Sequence, residues 1–158
     1  MRQIFILLSV LLLPFFCTSQ INGIYWGVAD TNLTIEKNTD FGTVHDYLEL
    51  FNYSGQDLEM RWIAHFNSSW PSLWAASFAD PANWHPSIVD LDSADFTITD
   101  PIGFQNKLII GVDHNSQAGT GTIDFKVFPI DHPEDVLWLC YGTIINQGNA
   151  FASLKDSD

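Results

Sequence analysis

The sequence predicts an all-β protein, a two-sheet sandwich of about seven antiparallel strands. Three observations predict it. Apolar and polar residues alternate over short runs, which is the side-chain period of a half-buried strand. Clusters of Gly, Pro, Asn and Asp separate those runs. Beyond the N-terminal twenty residues, no stretch carries the apolar period of a helix.

The chain opens with "MRQIFILLSVLLLPFFCTSQ": a basic start, an apolar run from Ile4 to Phe16, and small residues at Thr18 and Ser19. That is the layout of a secretory signal peptide, expected to span 1–19 with cleavage between Ser19 and Gln20. The run is too short to cross a hydrocarbon core of about 30 Å as a helix, so no stable membrane insertion is expected after cleavage. Phe15 and Phe16 precede Cys17 where a lipidation signal needs small residues.

Residues 20–146 are expected to form the sandwich. "LTI" near Thr34 supplies an early edge strand. "DYLELFN" is a strand through Leu48 and Leu50, closed by a turn at "NYSGQ" where Gly55 takes positive φ. "DLEMRWIAHFN" alternates most clearly, with Leu58, Met60, Trp62, Ala64 and Phe66 on one face and Glu59, Arg61, Ile63 and His65 on the other. "DFTIT" is a short strand, and "NKLIIGVDHN" turns Leu108, Ile110 and Val112 inward. "GTIDFKVFP" does the same with Ile123, Phe125 and Val127. "IDHPED" makes a turn, and "VLWLCYGTI" returns as the last strand. Residues 67–94 read as one long connection, and 147–158 as a flexible tail.

Charge narrows the function. Of 158 residues, 19 are acidic and six basic, and losing Arg2 with the leader leaves a net charge near −14. Such a surface repels phosphate, so a nucleic-acid partner is not expected. Once Cys17 leaves, Cys140 is alone, which excludes an intrachain disulfide and thiolate zinc sites. In "VLWLCYG", Cys140 shares a strand face with Val136 and Trp138 and reads as a small buried hydrophobe.

No motif points to catalysis. His45, His65, His85, His114 and His132 are scattered, with no Gly-x-Ser-x-Gly, no His-Glu-x-x-His and no phosphate-cradling glycine loop. Asp90, Asp92 and Asp95 in "DLDSAD" are hard oxygen donors, but their spacing is not an EF-hand loop, and a solvated turn is expected. No metal or cofactor is expected. "NYS" at Asn52 and "NSS" at Asn67 match the glycosylation acceptor pattern.

The span from Asp57 to Ile145 resembles an immunoglobulin-like module of secreted Gram-negative bacterial proteins that use type IX (gliding-associated) secretion. The likeness rests on "LEMRW", "LWAASFAD", "DHNSQAGTGTIDFKVF" and "PIDHPEDVLWLCYGT" in that order. It implies an immunoglobulin-like sandwich exported to the periplasm, the cell surface or the medium. Members of that family commonly carry a cysteine pair flanking a loop aspartate; here Ala79 and Trp84 occupy those places and Asp80 is kept. Many also continue into a C-terminal sorting domain, which is not expected within this sequence. A short disulfide loop contributes about 2 kcal/mol, and burying a large apolar side chain about 1.5–3 kcal/mol. Trp84 is therefore expected to be buried as a substitute for the crosslink.

The expected function is a non-catalytic structural or adhesion-type module with a protein or glycan partner. The alternative is a carbohydrate-binding module that uses the tryptophan cluster, with Trp70, Trp74, Asp80, Trp84 and His85 as ligand-binding residues. A small secreted hydrolase is the second alternative.

Overall fold

The computed structural model describes residues 19–21, 24–40, 42–99 and 106–148. All of their regular structure is strand: β1 (Ser19–Ile21), β2 (Ile24–Val28), β3 (Asn32–Asn38), β4 (Val44–Asn52), β5 (Leu58–Phe66), β6 (Ala75–Ala79), β7 (Trp84–Ile88), β8 (Ser93–Ile98), β9 (Lys107–Asp113), β10 (Gly119–Pro129) and β11 (Leu137–Asn146). One sheet has six strands in the order β1-β2-β4-β9-β6-β7; the other has five, β3-β11-β10-β5-β8. The expected leader lies outside the described residues except for Ser19, and the expected tail except for Gln147 and Gly148.

The two-sheet sandwich matches the expectation, with two differences. Four strands beyond the expected seven are present: β1, β2, and the pair β6 and β7 inside the stretch read as a connection. The second difference is direction. β3 runs parallel to β11, from Asn32 opposite Cys140 to Asn38 opposite Asn146, while every other pair is antiparallel. Alternation reports which side chains face inward and is silent on the neighbouring strand.

The inward faces are those the alternation marks. Met60, Trp62, Ala64, Leu108, Ile110, Val112, Ile123, Phe125 and Val127 are all buried. At the centre, the Trp62 ring lies edge-on to Phe78 at 5.0 Å and to Phe125 at 6.0 Å. Phe78 of one sheet stacks on Phe125 of the other at 4.2 Å, an aromatic seam joining the layers.

Two buried polar groups tie the sheets. Tyr141 Oη of β11 donates to the Leu108 carbonyl of β9 at 3.1 Å. Burial, and secondarily the Asp46 carboxylate, push its phenol far above the usual range. Asn52 sits where the chain crosses between sheets at "NYSGQ". Its Nδ2 donates to the Gln56 and Ile98 carbonyls at 2.8 and 3.0 Å, and its Oδ1 accepts from Ser54. Asn52 is fully buried with that amide engaged, so its glycosylation match is sterically closed. Gly55 has φ +78°, as the turn requires.

Cys140 is a correction. Leu139, Tyr141 and Ile145 point inward, so Trp138 and Cys140 face outward; Trp138 is exposed and Cys140 half-buried. Both faces of "VLWLCYG" are apolar, and such a run carries no signal of which side meets the core.

Candidate functional site: the outer face of the six-stranded sheet

The five residues expected to form one ligand site are divided among different places in the sandwich. Trp74 is buried, its Nε1 donating to the Gln117 carbonyl at 3.0 Å. Trp70 packs edge-on against Phe66 at 5.1 Å and Trp74 at 5.4 Å. Both rings lie over the glycine end of β10, where a Cβ on Gly121 would fall 2.6 Å from Trp70 Cε3 and one on Gly119 3.3 Å from Trp74 Cζ2. The two tryptophans close one end of the sandwich and border a hollow of about 320 Å³ with Phe66, Ile88 and Val89.

Asp80 and His85 form a strut beneath the β6–β7 hairpin. Phe78 pairs with His85, and Ala79 with Trp84, across a hairpin whose turn closes with Asp80 N–H on the Asn83 carbonyl at 3.0 Å. The Asp80 side chain accepts from Trp62 Nε1 at 2.9 Å and from the backbone N–H groups of Ala82 and Asn83 at 2.9 and 2.8 Å. His85 Nε2 lies 2.9 Å from Asp80 Oδ2, and since a carboxylate only accepts, that nitrogen carries the hydrogen. The His85 ring also stands edge-on to Trp62 at 5.0 Å.

Trp84 is the second correction. It is 63% exposed, although burial was expected. The hairpin register gives the reason. Phe78 and its partner His85 face the core, so Ala79 and Trp84 face the other way. The tie across the hairpin is supplied by Asp80, not by the indole.

The face on which Trp84 stands carries a concave surface that the sequence did not suggest. His45 of β4, Gly111 of β9 and Ser77 of β6 form one row across three neighbouring strands. His45 and Ser77 lean inward over the glycine. A Cβ at Gly111 would collide with Ser77 Oγ and lie 2.8 and 2.9 Å from His45 Cδ2 and Nε2. Thr43, Ala75, Ala76, Trp84, Pro86 and Asp113 complete a shallow hollow of about 280 Å³. Pro86 sits at the bulge where β7 carries one residue more than β6, an edge position that tolerates proline. In the next row, Tyr47 is also exposed, but Lys107 Nζ covers its ring at 4.0 Å. The glycine at 111 is the one clue in the sequence, because an isolated strand glycine marks close approach.

The remaining candidates go to structural partners. Asp90 accepts from Phe66 N–H at 2.9 Å, Asp92 from Val89 N–H at 2.8 Å, and Asp95 pairs with Arg61 through two hydrogen bonds. On the outer face of the five-stranded sheet, Cys140, Asp124 and His65 form a row across β11, β10 and β5. Burial, then the Asp124 carboxylate, raise the Cys140 thiol above its usual range, the opposite of an activated nucleophile.

No protein-family model matches the sequence, and no curated protein does. Among solved structures, the chain is similar to the N-terminal domain of PorA, with TM-score 0.50 and 13% identity over 73% of this chain and 89% of that one. At that identity the likeness concerns the sandwich fold. Weaker likenesses include the ASH/PapD-like domain of human CEP192 (TM-score 0.45, 12% identity, 91% of this chain and 99% of that one). Another is CfaE, the adhesive subunit of CFA/I fimbria of enterotoxigenic Escherichia coli (TM-score 0.42, 10% identity, 75% and 46%).

Proposed function

We propose that this chain is a non-catalytic structural or adhesion-type module that works outside the cytoplasm, in the envelope or exterior of a Gram-negative bacterium. It acts by binding, and the outer face of the six-stranded sheet is the surface it presents. One observation carries the reading: Asp80, His85 and Cys140 are engaged by structural partners, while an indole is left in water. Asp80 and His85 brace the hairpin around Trp62, and Asp124 helps hold the Cys140 thiol protonated. Above the hairpin, Trp84 stands exposed beside a shallow hollow of mixed lining. The leader-like N-terminus supports export.

Complementation of a deletion strain tests this reading. Envelope integrity and cell attachment are expected to change on deletion and to return with the wild-type gene, and equally with His85→Gln and Cys140→Ser. Restoration by the wild type but by neither variant, at equal protein levels, contradicts it.

A further inference from the structure

We propose that the hollow over Gly111 binds a neutral saccharide, with one pyranose ring lying on the Trp84 indole and its hydroxyls directed at His45, Ser77 and Asp113. The inference rests on the binding-module reading and names the ligand class of that face. A pyranose is amphipathic in a particular way, with a C–H face that is apolar and a rim of hydroxyls that both donate and accept. The hollow has the complementary arrangement. It offers one open aromatic plane, Trp84 at 63% exposure, next to a row of short polar groups. The Ser77 hydroxyl donates and accepts, and the His45 ring offers a second polar site. Asp113 engages one oxygen with Asn115 N–H and keeps acceptor capacity on the other.

Charge excludes the nearest competitors. The chain carries a net charge of −13 and the hollow contains a carboxylate, so phosphorylated or uronic ligands meet repulsion. Half of the lining side chains are polar, Thr43, His45, Ser77 and Asp113, which suits an amphipathic sugar better than a greasy peptide. Strand addition by a second copy is hindered by Pro86 on the edge strand. The volume of about 280 Å³ lies just below the span of small-molecule pockets, fitting one sugar unit of a longer chain that extends over the open surface.

The test is an NMR titration of the whole protein with cellohexaose, xylohexaose, laminarihexaose, maltohexaose and mannohexaose, each taken to millimolar concentration and analysed afterwards by chromatography. With at least one sugar, the Trp84 indole and the amides of Ser77 and Gly111 are expected to shift, while the Trp138 indole on the opposite sheet stays still. Trp84→Ala should weaken binding roughly tenfold or more, Ser77→Ala and His45→Ala about fivefold each, and Trp138→Ala not at all. No shift at the hollow with any of the five, or shifts centred on Trp70 or Trp138, overturns the saccharide inference and leaves the non-catalytic reading in place. Shifts at the hollow with a shortened sugar recovered keep the inference and overturn the non-catalytic reading instead.

Discussion

Asp80 and Trp84 stand on opposite sides of one hairpin, and the structure divides holding and presenting between them. Asp80 has no exposed side-chain surface and satisfies two side-chain and two backbone donors. Each buried donor left unpaired costs about 1–3 kcal/mol. Asp80→Ala is therefore expected to lower the unfolding free energy by about 2–4 kcal/mol, read from the urea midpoint at unchanged slope. The sequence marked Asp80 and His85 as special but assigned them to a ligand, because it could not show that Trp62, eighteen residues earlier, lies against them. Cys140 gives a second prediction at this scale. Asp124 raises the thiol pKa, so Asp124→Asn lowers it and increases the thiolate fraction at any pH below it. In a Cys17→Ser background, alkylation should accelerate about threefold for each unit the pKa falls, after allowing for the weaker nucleophile. An unchanged or slower rate at pH 8 would contradict the assignment.

At the scale of elements, the inward faces of β4, β5, β8, β9 and β10 were legible because large apolar residues recur at every second position, as in Leu48 and Leu50 or Ile123, Phe125 and Val127. β6 and β7 were not. "AASFA" holds three alanines and a serine with a single phenylalanine, too weak a contrast to read, and "WHPSI" carries a proline that argues against a strand until it is known to be a bulged edge. β2 brings the buried Trp26 into the core from a stretch where no strand was expected. The glycines of β10 were legible as letters but not as a cause. "GTGT" continues the inward face of Ile123 and Phe125 with no side chains, and that space is where Trp70 and Trp74 lie. Gly121→Ala should cost about 1–3 kcal/mol by overpacking, and pairing it with Trp70→Ala should recover part of that loss; additive losses would argue against the contact. The turn between β7 and β8 holds Leu91 at φ +68° with its side chain in solvent. Asparagine tolerates that conformation better, so Leu91→Asn should raise stability by about 0.5–1 kcal/mol in the same urea assay.

For the whole molecule, two apolar layers packed face to face were predictable from the sequence, whereas the aromatic seam between them and the order of strands within each layer were not. Neighbour and direction depend on contacts between residues distant in the chain, such as β3 beside β11, about a hundred positions apart. The candidate surface was illegible for the same reason. His45, Gly111 and Ser77 become a row only once β4, β9 and β6 are placed side by side. The account rests on the claim that the core is closed by Asp80, Trp62 and the Trp70–Trp74 end, leaving Trp84 available to the outside. Thermal melting of Trp84→Ala beside Asp80→Ala tests that claim most directly. The account predicts a midpoint within about 2 °C of wild type for Trp84→Ala, and one lower by roughly 6–15 °C for Asp80→Ala. A Trp84→Ala protein that melts as early as Asp80→Ala would contradict it.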